Sequence, residues 1–249
     1  MKNSILILVI ATVILSCKGN TEKKEAEMAS EDMVEAEQPA QEWEVLFDGT
    51  SFEHWKEYLK EGVSENWKIE DGAMVFYPPE NREDKEVFDL VTKNEYTDFV
   101  LSLDWKISEG GNSGVFYGVK EDPEVRVPYR TGPEIQVLDN EKHPDAKNGT
   151  THQAGSLYDM VAPSKDVTRP VGEWNTMVLT VNHSEKQGSV ELNGVEVVTF
   201  PLGNEQWSEM VSKSKFADWN EFGKYSTGKI GLQDHGDQVA FRNIKIKEL

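Results

Sequence analysis

Apolar side chains occupy every second position of Phe99-Val100-Leu101-Ser102-Leu103-Asp104-Trp105-Lys106-Ile107. Successive side chains of an extended strand point to opposite faces, so Phe99, Leu101, Leu103 and Trp105 share one face. The residues between them are mostly polar or charged. We therefore predict a β-strand over this stretch that buries one face against a core and exposes the other to water.

Short β-rich runs recur before and after this stretch. They span residues 44–47, 67–69, 74–76, 114–119, 134–138, 177–183, 189–200, 229–233 and 239–247. Turn residues lie between them, and Asn193-Gly194 is the strongest hairpin signal because both residues tolerate a positive φ. No alternation of strands with helices occurs, which argues against a parallel sheet. We predict an all-β protein, a two-sheet antiparallel β-sandwich of the jelly-roll type.

One segment departs from the strand pattern. Residues 202–224 carry scattered large apolar side chains, Trp207, Phe216 and Trp219 among them, between polar ones. This pattern predicts a loop with one or two helical turns. The segment either roofs a cleft or packs as an insertion over a sheet edge.

The first 17 residues have the layout of a bacterial lipoprotein signal peptide. Lys2 precedes an apolar run from Ile5 to Leu15, and Ser16-Cys17 follows it. The run is shorter than the roughly 20 residues that a transmembrane helix needs. We expect cleavage before Cys17, lipidation of Cys17, and an exported protein held at the cell envelope by its lipid anchor. An ordinary secretory signal and an uncleaved anchor are the alternatives.

Residues 18–42 are rich in Glu, Ala, Lys and Gln and have almost no apolar periodicity, which predicts a flexible acidic linker. The globular domain is expected to span 43–249. The whole chain has 45 acidic and 26 basic residues and a formal net charge of −19. Such a surface repels nucleic acid and does not favour anionic membranes, whereas neutral sugars remain compatible partners.

The predicted strand over residues 134–138 has the most informative pair of polar residues. Period two places Glu134 and Gln136 on one face and Ile135 and Val137 on the other. With the apolar pair in the core, a carboxyl group and an amide lie together on the outer face. They are suited to hold a sugar and to move a proton. The second acid that a retaining glycosidase needs is absent at the matching position.

A neighbouring strand brings further candidates. Asn112 follows a Gly-Gly turn and Tyr117 lies five residues later. Tyr117 is interpreted either as a platform for a sugar ring or as an ordinary core residue. Asn112 is interpreted either as a sugar ligand or as a turn-forming residue.

Two of the five histidines are candidates for function. His235 ends a predicted strand at the rim of a sheet, where a catalytic side chain is easily presented. His152 lies in a loop rich in Gly and Thr and is a candidate for substrate binding, although loop histidines are often only solvated. No cofactor is evident. A divalent metal would need ligands from separate strands, for example Glu134, Asp104 and His235.

An ordered series of local motifs extends through the whole domain. It comprises Leu46-Phe47-Asp48-Gly49-Thr50, Trp67-Lys68-Ile69-Glu70-Asp71-Gly72, Gly111-Asn112-Ser113-Gly114, Gly132-Pro133-Glu134-Ile135-Gln136-Val137-Leu138-Asp139, Gly172-Glu173-Trp174-Asn175, Gly231-Leu232-Gln233-Asp234-His235-Gly236 and Phe241-Arg242-Asn243-Ile244. Together these motifs resemble the 3-keto-disaccharide hydrolase family. The resemblance implies a concanavalin A-like fold and a sugar substrate.

The chain departs from the family pattern at one position. The family often has Arg after the Tyr of the Asn-Ser-Gly strand, where this chain has Gly118. Arg126 or Arg130, just before the Glu134 strand, could supply the missing contact, and Arg130 is kept as a substrate-binding candidate. The plain alternative is that either arginine pairs with the acidic surface.

The resemblance implies cleavage of 3-keto-glycosides, including 3-keto-disaccharides. A base removes the acidic C2 proton, the C1 substituent is eliminated, and water then adds. We expect Glu134 and His235 to share the acid and base roles, and Gln136, Asn112 and Tyr117 to position the sugar. The alternative function is a non-catalytic carbohydrate-binding lipoprotein.

Overall fold

The structure is a computed structural model that describes residues 42–83 and 86–249. The predicted signal peptide, the lipidation site at Cys17 and all but the last residue of the predicted linker lie outside the described residues, so these stay predictions. No helix within the described ranges is long and apolar enough to cross a membrane.

The described chain forms thirteen β-strands and one α-helix. They are β1 (Glu44–Phe47), β2 (Trp55–Glu57), β3 (Trp67–Glu70), β4 (Ala73–Phe76), β5 (Leu90–Thr92), β6 (Phe99–Ile107), β7 (Asn112–Val119), β8 (Glu134–Leu138), β9 (Asn175–Asn182), β10 (Gln187–Leu192), β11 (Val195–Pro201), α1 (Glu205–Ser212), β12 (Lys229–Leu232) and β13 (Val239–Glu248). Short 3-10 helices span Pro128–Arg130, Pro144–Asn148 and Thr150–His152.

The strands form two antiparallel sheets. The eight-stranded sheet has the order β11-β10-β9-β6-β13-β4-β3, with β1 also paired to β13, and the five-stranded sheet has the order β2-β5-β12-β7-β8. Every strand pairing is antiparallel. The predicted all-β, two-sheet antiparallel sandwich is therefore confirmed.

The predicted strands all exist, and two further strands were missed. Those two, β2 and β5, have three residues each, too few for alternation to be visible in the sequence. The two tight hairpins form at Asp71-Gly72 and Asn193-Gly194, where φ is 50° and 72° in the first and 51° and 80° in the second. Asn and Asp tolerate this left-handed region better than most residues, which is why the turns occur there.

The main core lies between the two sheets. Strand β6 contributes Phe99, Leu101, Leu103, Trp105 and Ile107, all buried, while the residues between them are half-exposed. The strands of the opposite sheet bury their own alternate residues against this row. These are Val115 and Tyr117 from β7, Ile135 and Val137 from β8, and Ile230 and Leu232 from β12.

The position of Tyr117 corrects one prediction. The side chain is 3% exposed, and its ring stacks on Phe200 with the centroids 6.0 Å apart. Tyr117 is two residues after Val115 and lies on the same face of β7. That face points between the sheets, where no sugar can stack on the ring. Its hydroxyl group has no hydrogen-bond partner among the described residues. The interpretation of Tyr117 as a sugar platform was wrong, and the core interpretation holds.

The variant Tyr117→Phe should fold normally and keep or increase its free energy of unfolding by about 1 kcal/mol, since a buried unpaired hydroxyl group is costly. Chemical denaturation measures the change. The matched control is Tyr58→Phe, because the buried Tyr58 hydroxyl donates to the Lys120 carbonyl at 3.2 Å and accepts from the Asp122 N–H at 3.3 Å. The control should lose about 1 kcal/mol. A larger loss for Tyr117→Phe than for Tyr58→Phe would contradict this account.

Candidate active site

A cavity of about 220 Å³ lies on the outer face of the five-stranded sheet. Strands β7, β8 and β12 are neighbours in this sheet, and each buries one row of apolar residues and turns the other row outward. The outward row of β8 contains Glu134 and Gln136, as the alternation predicts. Asn112 begins the adjacent strand, and Gln233 and His235 follow the end of β12. The cavity is lined by all five residues.

The other walls of the cavity come from loops. Lys215, Phe216, Trp219 and Phe222 belong to the segment 202–224, and Tyr129 and Tyr158 come from the loops on either side of β8. Phe216 and Phe222 are buried and stack on each other at 3.9 Å. The segment therefore packs on the protein and also lines a cleft. The predicted one or two helical turns correspond to α1.

Glu134 is a half-buried carboxyl group in the wall of the cavity. Loss of water around the carboxyl raises its pKa to about 8, although the positive charge of Lys215 opposes this shift. The carboxyl group lies over Gly114 on the neighbouring strand. A methyl group at position 114 would come within 2.3 Å of Glu134 Oε1, so only glycine leaves room for this conformation. Glu134 can thus exchange a proton near neutral pH.

Three amide side chains line the same cavity as the Glu134 carboxyl group. Asn112 and Gln233 are 4% and 7% exposed, and their side-chain oxygens have no hydrogen-bond partner among the described residues. Gln136 is also buried, and its Nε2 donates to the carbonyl oxygen of His152 at 3.4 Å. Buried polar atoms are normally paired. Unpaired oxygens in residues that line a cavity call for a hydrogen-bond donor, which an ordered water or the hydroxyl group of a ligand can supply.

His235 lies at the rim of the cavity with an exposed side chain. Partial loss of water lowers its pKa, against the opposing charge of Asp237. The neighbouring Asp234 does not contact the imidazole but points the other way, where its carboxylate pairs with Arg82 at 2.8 Å. His235 is therefore free to face a ligand.

One group of side chains at this rim could hold a metal ion. His143, His235 and Asp237 each present a ligand atom, and these atoms lie within 4.8 Å of one another. The combination of Glu134, Asp104 and His235 considered from the sequence is wrong. Asp104 lies on the outer face of the other sheet, where it accepts hydrogen bonds from Arg242 and Asn243.

His152 and Arg130 stand behind the cavity wall. His152 Nδ1 is 3.0 Å from Asp145 Oδ1, and the other oxygen of Asp145 accepts the hydroxyl proton of Tyr158 at 2.8 Å. The Arg130 guanidinium lies 4.1 Å from the centre of the Trp219 ring. Neither side chain is part of the cavity lining. Each instead supports an aromatic residue of the lining, so the expected direct substrate contacts have no support in the geometry.

Several lining residues were not predicted from the sequence as ligands. Gln233 carried a usable signal, because period two places it on the same face as Gly231 and opposite the buried Leu232. Tyr129 lies in the short 3-10 helix Pro128–Arg130, and Tyr158 and Lys215 lie in loops. None of these segments has a periodicity that indicates the direction of a side chain. Their placement depends on contacts such as the hydrogen bond from the Lys215 N–H to Asp159 Oδ2 at 2.7 Å.

Comparisons with known proteins agree with this architecture. A 3-keto-disaccharide hydrolase from Bacteroides thetaiotaomicron is 36% identical over an alignment 253 positions long, which covers 91% of this chain and 85% of the relative. A Parabacteroides distasonis protein provisionally classed as a glycosyl hydrolase has a crystal structure with a TM-score of 0.75 and 33% identity. The match covers 83% of this chain and 94% of that one.

A more distant structure shares the fold alone. A non-specific endo-β-1,3(4)-glucanase is 12% identical with a TM-score of 0.50, and the match covers 84% of this chain and 95% of the glucanase. The family model described as the 3-keto-alpha-glucoside-1,2-lyase-like domain matches residues 42–247, which include every residue of the cavity described above. The chain therefore belongs to the 3-keto-alpha-glucoside-1,2-lyase-like domain family.

Proposed function

We propose that this protein is a carbohydrate hydrolase that cleaves the glycosidic bond of 3-keto-glycosides, 3-keto-disaccharides among them. Membership of the family and the name of the curated relative support the substrate class. The observation that carries the proposal is the half-buried Glu134 carboxyl group, with a pKa raised to about 8, in a cavity whose amide oxygens lack donors. Sugar hydroxyl groups are donors of the kind that these oxygens need.

The proposed reaction starts at C2 of the 3-keto sugar. The carbonyl group at C3 makes the C2 proton acidic, and Glu134 takes that proton while the electron pair moves to the C3 oxygen as an enolate. The C3 carbonyl re-forms as the electron pair makes the C1–C2 double bond, the C1–O bond breaks, and the departing oxygen takes up the proton that Glu134 had accepted, which regenerates the carboxylate. Water then adds across the double bond, so that the overall change is hydrolysis without oxidation or reduction.

The other residues of the cavity have supporting roles in this proposal. His235 at the rim stabilises the negative charge that develops on the C3 oxygen. Asn112, Gln136 and Gln233 bind hydroxyl groups of the sugar ring. Trp219 offers an aromatic ring in the lining of the cavity. A volume of about 220 Å³ is below the ~300–1,000 Å³ typical of drug-sized ligands, so a single sugar ring fills it and the leaving group extends outside.

The variant Glu134→Gln should reduce kcat/KM by at least about 100-fold, because the amide cannot take a proton. A 3-keto-glucoside with a chromophoric leaving group provides the assay. The control is Glu191→Gln on the exposed face of β10, which should leave the rate unchanged. If the native protein released no chromophore yet bound unoxidised oligosaccharides, the alternative of a non-catalytic carbohydrate-binding protein would replace the enzyme.

The pH dependence follows from the raised pKa of Glu134. A base must be ionised to act, so kcat/KM should rise about tenfold per pH unit up to about pH 8 and then level off. An initial-rate profile from pH 5.5 to about 9.5, with the fold checked by circular dichroism at each end, measures this. A rate that falls as pH rises through 8 would show that Glu134 does not act as the base.

The contact between Gly114 and Glu134 gives a separate test. The variant Gly114→Ala should displace the carboxyl group and lower kcat/KM by about 10- to 100-fold, because the added methyl group occupies its position. The protein should still fold, since the three atoms nearest to the added methyl group all belong to the Glu134 side chain and none to the main chain. Gly62→Ala is the matched control, because a methyl group there meets no atom within 4 Å. Equal rates for the two variants would show that the position of the Glu134 carboxyl does not matter.

A further inference from the structure

Three polar side chains from three separate segments converge beside the cavity. His143 precedes the 3-10 helix Pro144–Asn148, His235 follows β12, and Asp237 lies in the turn before β13. Their ligand atoms lie within 4.8 Å of one another. The rings of His143 and His235 meet edge to face, with centroids 6.1 Å apart. Two imidazoles and a carboxylate held together in this way form a set of metal ligands.

The group is held by the main chain around it. The N–H of Asn112, the first residue of β7, donates to Asp237 Oδ2 at 3.1 Å. The N–H of His143 donates to the carbonyl oxygen of Asp139, just after β8, at 3.0 Å. Two neighbouring strands of the five-stranded sheet therefore position two of the three side chains. Asn112 also lines the cavity, and its buried side-chain oxygen has no partner among the described residues.

We propose that His143, His235 and Asp237 bind a divalent transition-metal ion at the edge of the cavity. Two nitrogen ligands favour Zn²⁺, Co²⁺, Ni²⁺, Mn²⁺ or Fe²⁺ over Mg²⁺ and Ca²⁺, which prefer oxygen ligands. Three protein ligands leave coordination positions open, as in catalytic metal sites. Because His235 lines the cavity, an open position faces the space assigned to the substrate.

The catalytic role of the metal ion rests on the proposed function. A divalent ion held by His235 is a Lewis acid, and it would strengthen the stabilisation of the C3 oxygen that the proposed function assigns to that residue. The binding of the ion itself depends only on the three side chains.

Metal binding displaces one group from the imidazole ring of His143. His143 Nδ1 accepts a hydrogen bond from the Asp145 N–H at 3.1 Å, which places the ring proton of the neutral imidazole on Nε2. The ion replaces either this hydrogen bond or that proton. Ligands must be unprotonated to bind, so binding releases protons and weakens at acidic pH.

The test is titration of the metal-free protein, without a polyhistidine tag, with Co²⁺. We expect about one equivalent to bind per chain, with visible absorption bands of nitrogen-ligated Co²⁺, and Zn²⁺ should displace it. His143→Gln and Asp237→Asn should each weaken binding by at least about tenfold. Asp237→Asn can still accept the hydrogen bond from the Asn112 N–H, and circular dichroism verifies the fold of both variants. The matched control is His54→Gln, far along the chain, which should bind Co²⁺ like the native protein.

Absence of Co²⁺ binding by the folded native protein, or binding that neither variant weakens, would overturn the proposal. Turnover of a 3-keto-glucoside is measured in parallel to separate the two proposals. Metal binding without turnover overturns the proposed function and leaves the metal site standing. Turnover by a folded native protein that binds no Co²⁺ overturns the metal site and leaves the function standing.

Discussion

The burial of one face of β7, β8 and β12 against the eight-stranded sheet is the constraint on which the site depends. Ile135 and Val137 are fully buried between the sheets. Since a strand turns successive side chains to opposite faces, burying this pair directs Glu134 and Gln136 outward. A register shift of one residue in β8 would place the carboxyl group in the apolar core. The hydrophobic core therefore determines the direction in which the Glu134 and Gln136 side chains point.

The same outer face contains groups that a stable fold alone would avoid. The Glu134 carboxyl has lost much of its water, and the buried oxygens of Asn112 and Gln233 have no donors among the described residues. Each arrangement costs stability, because a buried polar atom without a partner is more costly than one that is paired. Their location in a single cavity, next to the glycine that admits the Glu134 side chain, supports a binding site more strongly than any one of them does.

The sequence predicted the parts of this protein that repeat with a fixed period. Three features could be predicted because burial and turn geometry act on residues that are close in sequence. They are strand β6, the outward direction of Glu134 and Gln136 on β8, and the Asn193-Gly194 hairpin. The same alternation places Tyr117 with Val115, but the sequence alone left open whether their shared face meets the core or a sugar. Strands β2 and β5 are too short to show a period. Tyr158, Lys215 and His143 lie in loops whose direction is set by contacts between residues distant in sequence.

His143 shows why such contacts matter for the chemistry of the site. Seen in sequence, it is a single histidine between a lysine and a proline, and it gives no sign of a partner. In the fold, the hydrogen bond from its N–H to Asp139 attaches it to the end of β8, and His235 reaches the same rim from the end of β12. The sheet order, in which β7 separates β8 from β12, brings the ends of these strands together and lets the Asn112 N–H on β7 hold Asp237 between them. The strand ends at this edge of the sheet thus bring together His143 and Asp237, which are 94 residues apart in sequence. No local sequence pattern could connect them.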